Sequence, residues 1–411
     1  MNQEHIQATI ITIGDELLIG QTIDTNSSWI ARELNKMGIF VQRRIAVGDQ
    51  KEAIWNALSE EGKRNSIILI TGGLGPTSDD ITKPLLCAYF NTTLKTDPAV
   101  LEHVKSIFQR RNRPLLAINL AQAEVPSNCR VLFNEAGTAP GMWFEKDEVI
   151  YISMPGVPME MQHIMNMRVL PELKKRFQLP EIIHRTLVTA GEGESFIASQ
   201  LTEFEKALPK QVRLAYLPKL GGVKLRLSGS EKDLDLIDSN FNTLKDVLKR
   251  ITIADSDIET EQAIFQLLKQ ANKTMALAES CTGGRLSQMM TSMSGASSVF
   301  IGGFITYSAA MKIDLGVPPD TIEHHGVISQ ETAKAMAEAC KNRTGADFSM
   351  AITGHLEKQE TETYAWIAVC SRHHQEEFKV KAFYDREKNA VFYSNTALYI
   401  LHRFILMHLT A

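Results

Sequence analysis

Five cysteines, Cys87, Cys129, Cys281, Cys340 and Cys370, are scattered along the 411 residues. None stands in Cys-x-x-Cys spacing, which excludes a disulfide framework and a zinc site of that kind and points to a reducing compartment. Dense basic runs are also missing. With 44 basic and 48 acidic residues the net charge is -4, so a nucleic acid partner is not expected, whereas a small anionic ligand remains open. No apolar segment is long enough to span a bilayer, and the start MNQEHIQATI has neither a basic n-region nor an apolar h-region. The expectation is a soluble cytoplasmic protein without a membrane partner. His324 and His325 have no neighbours at metal-ligand spacing.

What is present is core-forming material. At 44% hydrophobic content, a chain of this length exceeds one hydrophobic core, and two or three domains are expected. Ala8 to Ile13 reads as a β-branched strand ending at Gly14-Asp15-Glu16. Asn26 or Ser27 is placed to cap a helix carrying Ile30, Leu34 and Met37. Phe40 to Val47, a helix to about Gly62, and the apolar run Ser66 to Ile70 follow. Strands alternating with helices predict an α/β architecture with a doubly wound parallel sheet. A longer helical region is expected from Lys83 to Arg113, broken at Asp97-Pro98.

The Ser66 to Ile70 run empties into Thr71 to Lys83, TGGLGPTSDDITK. Gly72, Gly73 and Gly75 let backbone N–H groups approach phosphate oxygens, and Asp79 and Asp80 are hard carboxylates suited to a divalent cation. The structural alternative is a tight strand-to-helix turn with an acidic first turn. The glycines, the acids and the preceding strand together favour a site. Met154-Pro155-Gly156-Val157-Pro158 with Glu160 reads first as a helix start, or as a pocket wall facing that loop.

Residues 182–253 read as a small α+β unit, and Asp255-Ser256-Asp257 as a linker. Beyond it, Thr274 to Ala278 forms a short strand delivering Glu279-Ser280-Cys281-Thr282-Gly283-Gly284 to a helix start. Taken alone, Ser280 is first a helix cap; held against helix amides it is also a candidate nucleophile. Lys312 lies five residues beyond Tyr307. A desolvated lysine near a serine serves as its base, although a solvent-facing lysine is the commoner case.

The motifs IGDELLIGQTIDTN, VGDQ, TGGLGPTSDDITK, GTAPG, MPGVPMEM, AESCTGG, TYSAAMK and GVPPDTIEHHGVIS together resemble the CinA family over nearly the whole chain. The resemblance implies a MoaB/MogA-like (molybdopterin-binding-like) domain at 1–172, a small α+β domain at 173–253, and a nicotinamide mononucleotide deamidase-like α/β domain at 258–411. It implies a metal-dependent ADP-ribose pyrophosphatase (magnesium, manganese or cobalt) in the first domain. In the last it implies a metal-free deamidase releasing ammonia, and the assembly is expected to be a homodimer. The N-terminal site implied comprises Asp15, Glu16, Asn26, Gly72, Gly73, Gly75, Thr77, Asn119, Gly137 and Thr138 for substrate. Asp79, Asp80 and Glu160 would hold the cation, amides of Gly73 to Gly75 the phosphates, and Lys83 would offset leaving-group charge. In the C-terminal site Ser280 is the implied nucleophile, Lys312 its base and Tyr307 a supporting hydroxyl, with Thr282, Gly283, Thr353 and Arg386 toward substrate.

Departures from the family pattern bear on function. The family's SNRKQA is replaced by Ile118 to Ala123, without its two basic side chains. The glycine-rich loop after Gly354 is replaced by His355 to Tyr364, which carries three glutamates, and Ala390 stands in place of an arginine. The expectation is therefore an impaired deamidase domain beside a working pyrophosphatase. The alternatives are an active Ser280 and Lys312 amidohydrolase, or a pterin or nucleotide binder without turnover.

Overall fold

The structure, a computed structural model, describes residues 6–77 and 80–409. It falls into two compact units, residues 6–183 with 230–232, and residues 184–229 with 233–409.

In the first unit β1 (Gln7–Ile13), β2 (Phe40–Val47) and β3 (Ile67–Thr71) alternate with α1 (Thr25–Lys36) and α2 (Lys51–Gly62). After α3 (Thr82–Tyr89) come β4 (Leu94–Thr96), β5 (Glu124–Pro126), β6 (Arg130–Leu132), β7 (Gly141–Lys146) and β8 (Val149–Met154). The main sheet runs β2-β1-β3-β8-β7-β6. Pairs from β2 to β8 are parallel, whereas β7 and β6 run antiparallel. Both faces are covered, so the central strands are continuously apolar. Ile10, Leu69 and Ile152 pack with Ile30 and Leu34 of α1, while Ile11, Ile68 and Ile70 pack with Ile54 and Leu58 of α2. Asp24, accepting from Ser27 N at 2.8 Å, caps α1 in place of Asn26 or Ser27. The helical region after Lys83 is broken at Asp97-Pro98 as expected, Asp97 capping a second helix (Pro98–Arg110), and β4 is inserted ahead of the break. A boundary at residue 172 falls inside a helix, Leu170–Phe177.

The second unit contains two sheets. β9 (Ile182–Ala190), β10 (Arg213–Lys219), β11 (Gly222–Ser230) and β12 (Thr252–Ala254) form the order β10-β11-β9-β12. The other is built from β13 (Met275–Glu279), β14 (Phe300–Ile305), β15 (Phe348–Gly354), β16 (Tyr364–Cys370) and β17 (Gln375–Lys381), in the order β14-β13-β15-β16-β17. Between and after these strands lie α4 (Arg285–Thr291), α5 (Ala309–Leu315), α6 (Gln330–Thr344) and α7 (Arg386–His408). Leu398, Leu401 and Phe404 of α7 cover one face of the five-stranded sheet against Leu277 and Ile352. Small residues let α6 approach the other, Ala333 and Ala337 meeting Ala276, Ala278 and Ala351. The two sheets share one unit because α7 reaches the first of them: Asn395 Nδ2 donates to Leu220 O at 2.8 Å, and Tyr399 packs on Val188 and Ile253. No helix among the described residues is long and apolar enough to cross a membrane.

β13 lies between its parallel neighbours β14 and β15, and β1 likewise between β2 and β3. Chain leaving the carboxyl ends of such central strands diverges to the two sides and opens a crevice.

Candidate functional site

In the second unit the strand ends are tied together before any side chain acts. Ser280 N donates to Ile352 O at 3.0 Å and Thr306 N to Glu279 O at 2.7 Å. Ser280 thus leaves a wholly buried strand at a fixed position between its neighbours. Gly283 and Gly284, at φ +61° and +96°, then turn the chain into α4 through left-handed conformations that a side chain would strain.

Ser308 caps α5 by accepting from Met311 N at 3.3 Å. That cap sets the helix so that Lys312 reaches back toward the strand ends, where it is 1% exposed. Its Nζ lies 3.0 Å from Ser280 Oγ and donates to Thr306 O at 2.7 Å. Burial lowers its pKa from the ordinary 10.5 to about 8, with the Cys281 thiol pulling weakly the other way. A substantial share of Lys312 is consequently neutral slightly above neutral pH. In that form one N–H stays on Thr306 O and the nitrogen lone pair can accept the Ser280 proton.

The dyad opens onto a cavity of about 330 Å³ lined by Tyr307, Val327, Thr353, His355, Glu357 and Arg386 among others. Some residues expected to face substrate are committed elsewhere. Thr282 Oγ1 donates to Glu279 at 2.8 Å, and Thr353 Oγ1 to Val327 O at 2.8 Å. Tyr307 is 63% exposed and its hydroxyl takes Arg386 Nη2 at 3.4 Å, so it stands at the cavity rim instead of supporting the dyad. Gly283 faces open space.

Glu279 is the residue that sequence reasoning left without a role. Fully buried, it takes Thr282 Oγ1, Gly284 N and Leu286 N on Oε2, and Ser287 N and Oγ on Oε1. Both oxygens are saturated by the turn that follows Ser280. Its sequence signal is an acid closing an otherwise apolar strand directly before a helix N-terminus.

In the first unit, Gly72 and Gly73 take φ +114° and +64°, and a side chain on them would strike the Ile13 carbonyl and the Thr82 hydroxyl. Of the amides expected to hold phosphate, that of Gly75 is taken by the loop itself. Asp80 accepts from Gly75 N at 2.8 Å and Thr77 N at 3.0 Å, bracing the loop, which differs from the cation-holding task expected of it. Asp79 lies outside the described residues. Lys83 is buried and donates to Gln122 O at 3.0 Å and Ala121 O at 3.4 Å, its pKa lowered by burial to about 8. Glu160 accepts from Asn134 Nδ2 at 2.7 Å over Gly137, where any side chain would collide with its carboxylate; burial raises its pKa. Asn119 caps its own short helix through Leu116 N at 3.0 Å, Thr138 is half-buried, and Glu16 is exposed. Asp15 exchanges backbone-to-carboxylate hydrogen bonds with Asp49 at 3.0 and 3.2 Å. Asn26 Nδ2 donates to Thr71 Oγ1 and Gly156 O, while its buried Oδ1 has no partner among the described residues.

Among the described residues there is no group of three or more His, Cys, Asp or Glu side chains able to bind a metal ion, and both Asp80 oxygens accept hydrogen bonds from their own loop.

Three family models match the chain in succession. They are a probable molybdopterin binding domain at residues 9–175, the damage-inducible protein CinA KH domain at 184–253, and the CinA C-terminal domain at 257–405. The chain is 46% identical over 356 residues to a CinA-like protein of Cytophaga hutchinsonii, covering 85% of each. It is 36% identical over 411 residues to a putative competence-damage inducible protein of Caldicellulosiruptor bescii, covering 97% of this chain and 99% of that one. Among solved structures it is similar to the protein CinA of Thermoplasma acidophilum at 29% identity and a TM-score of 0.37, covering 42% of this chain and 98% of that one.

Proposed function

The chain belongs to the CinA family, and on that premise we propose that its C-terminal domain is an amidohydrolase built on Ser280 and Lys312. The observation that carries this reading is the 3.0 Å contact between a buried lysine amine and the serine hydroxyl at the end of a central strand. Neutral Lys312 takes the Ser280 proton as Oγ attacks a carboxamide carbon. It returns that proton to the departing nitrogen, which leaves as ammonia. Water then attacks the acyl-serine, with Lys312 again the base, and the acid is released. Gly283 N is bonded to Ser280 O and Gly284 N to Glu279. The Cys281 and Thr282 amides, which donate to no oxygen among the described residues, are our proposed oxyanion donors. Nicotinamide mononucleotide is the amide that the family resemblance suggests, and no metal enters the scheme. Ammonia release from it, lost in Ser280→Ala and in Lys312→Met, tests the reading; release that survives Ser280→Ala would overturn it.

A second reading is favoured by the unpartnered Asn26 Oδ1 beside Thr71 and Gly156. It gives the N-terminal domain a nucleotide ligand and, with a divalent cation, the hydrolysis of ADP-ribose. Incubation with ADP-ribose and magnesium, manganese or cobalt checks this, and intact substrate with all three metals refutes it. Homodimerisation belongs to the same proposal. The edge strand β14 leaves Ile301 and Ile305 exposed, with Met311 and Ile313 exposed on α5, and sedimentation measures the outcome.

A further inference from the structure

The charged side chains that line the cavity beside Ser280 are Lys312, Glu357 and Arg386. Lys312 is engaged with Ser280 and Thr306, which leaves Arg386 as the guanidinium available to an anionic substrate. It is already occupied. Arg386 Nη1 donates to Glu357 Oε1 at 2.9 Å, and Nη2 to the Tyr307 hydroxyl at 3.4 Å.

An exposed ion pair of this kind would carry little weight if its backbone were loose. Here both ends are anchored by one fully buried side chain, Asn389. Its Nδ2 donates to Leu356 O at 2.7 Å and Tyr384 O at 2.9 Å, and its Oδ1 accepts from Tyr384 N at 3.0 Å. Leu356 directly precedes Glu357, and Tyr384 lies two residues before Arg386. The loop is further pinned where His355 N donates to Tyr364 O at 2.9 Å. Glu357 is therefore placed at the rim by the fold.

We propose that Glu357 is a specificity-determining residue that sets this cavity to accept an unphosphorylated carboxamide, neutral or cationic, in preference to a phosphorylated one. A phosphate is bound well by an arginine that offers it a free two-pronged donor. At this rim the prongs face a carboxylate and a phenol, and a phosphate displacing Glu357 would still meet its negative charge nearby. A pyridinium or other cationic amide would instead find that charge attractive. The inference names the substrate class of the amidohydrolase proposed above and rests on that reading.

The test uses full-length Ser280→Ala protein, which binds without turnover, and calorimetry with two probes that differ by the phosphate, nicotinamide riboside and nicotinamide mononucleotide. The riboside is expected to bind about tenfold more tightly than the mononucleotide at low salt. In Ser280→Ala/Glu357→Gln the gap should close to within about threefold, through tighter mononucleotide binding. Equal or tighter mononucleotide binding with Glu357 present, an unchanged gap after Glu357→Gln, or binding of neither probe would each overturn the proposal. Ammonia release by the wild-type protein separates the two claims. Discrimination in binding without ammonia from either probe removes the amidohydrolase and leaves the specificity, whereas ammonia chiefly from the mononucleotide removes the specificity alone.

Discussion

Replacing Lys312 by Met should remove catalysis and, in the same step, remove a pH dependence of stability. Burial lowers the Lys312 pKa from 10.5 to about 8, and at about 1.4 kcal/mol per pKa unit the folded state disfavours the charged amine by on the order of 3 kcal/mol. Exposed to solvent for only 1% of its surface, the group has little screening to reduce that figure. Below the folded pKa the penalty is present in full, because both the folded and unfolded chains are protonated there. Between the folded and unfolded pKa the unfolded chain binds more protons, so stability rises with pH until the penalty is gone. Urea denaturation of wild type and Lys312→Met, from about pH 7 to about pH 10, should show wild type gaining roughly 2 to 3 kcal/mol relative to the variant. The absolute difference at one pH is less informative, since the variant also leaves Thr306 O without its donor, a loss of about 1–3 kcal/mol in the opposite direction. A difference that stays flat across the range would refute the claim that Lys312 is strained by burial, and with it the argument that it serves as a base.

Three further outcomes are expected. Because the neutral amine is the working form, kcat/KM for amide hydrolysis should rise with pH through about 8 and then level off, as an initial-rate pH profile would show. Glu279→Gln keeps the shape of the side chain but turns an amide N–H₂ toward donors that now share two carboxylate oxygens. Stability should fall by about 2–4 kcal/mol in urea titrations and ammonia release should be lost with it. Asp80→Ala frees the Gly75 and Thr77 amides and should cost about 1 kcal/mol, with faster proteolytic nicking between Gly72 and Lys83. Unchanged nicking would count against the bracing role.

Local patterning determined much of the architecture. The β-branched runs at Ala8 to Ile13 and Ile67 to Ile70 are buried on both faces, and burial of that kind leaves an apolar sequence wherever helices cover a parallel sheet. The turn after Ser280 was legible for a similar reason, since consecutive glycines at a strand end mark backbone that side chains cannot follow. What composition and spacing could not decide was where each polar group points. Ser280 and Lys312 are 32 residues apart in sequence and meet because β14 and the Ser308 cap bring α5 back over the end of β13. Asp80 reads as a ligand and acts as a brace, because the amides nearest its carboxylate are those of its own loop. Glu279 looked like one acid among many until the fold buried it beneath five donors. Tertiary structure assigned these roles because hydrogen-bond partners are chosen by distance in space, which the order of residues along the chain does not record.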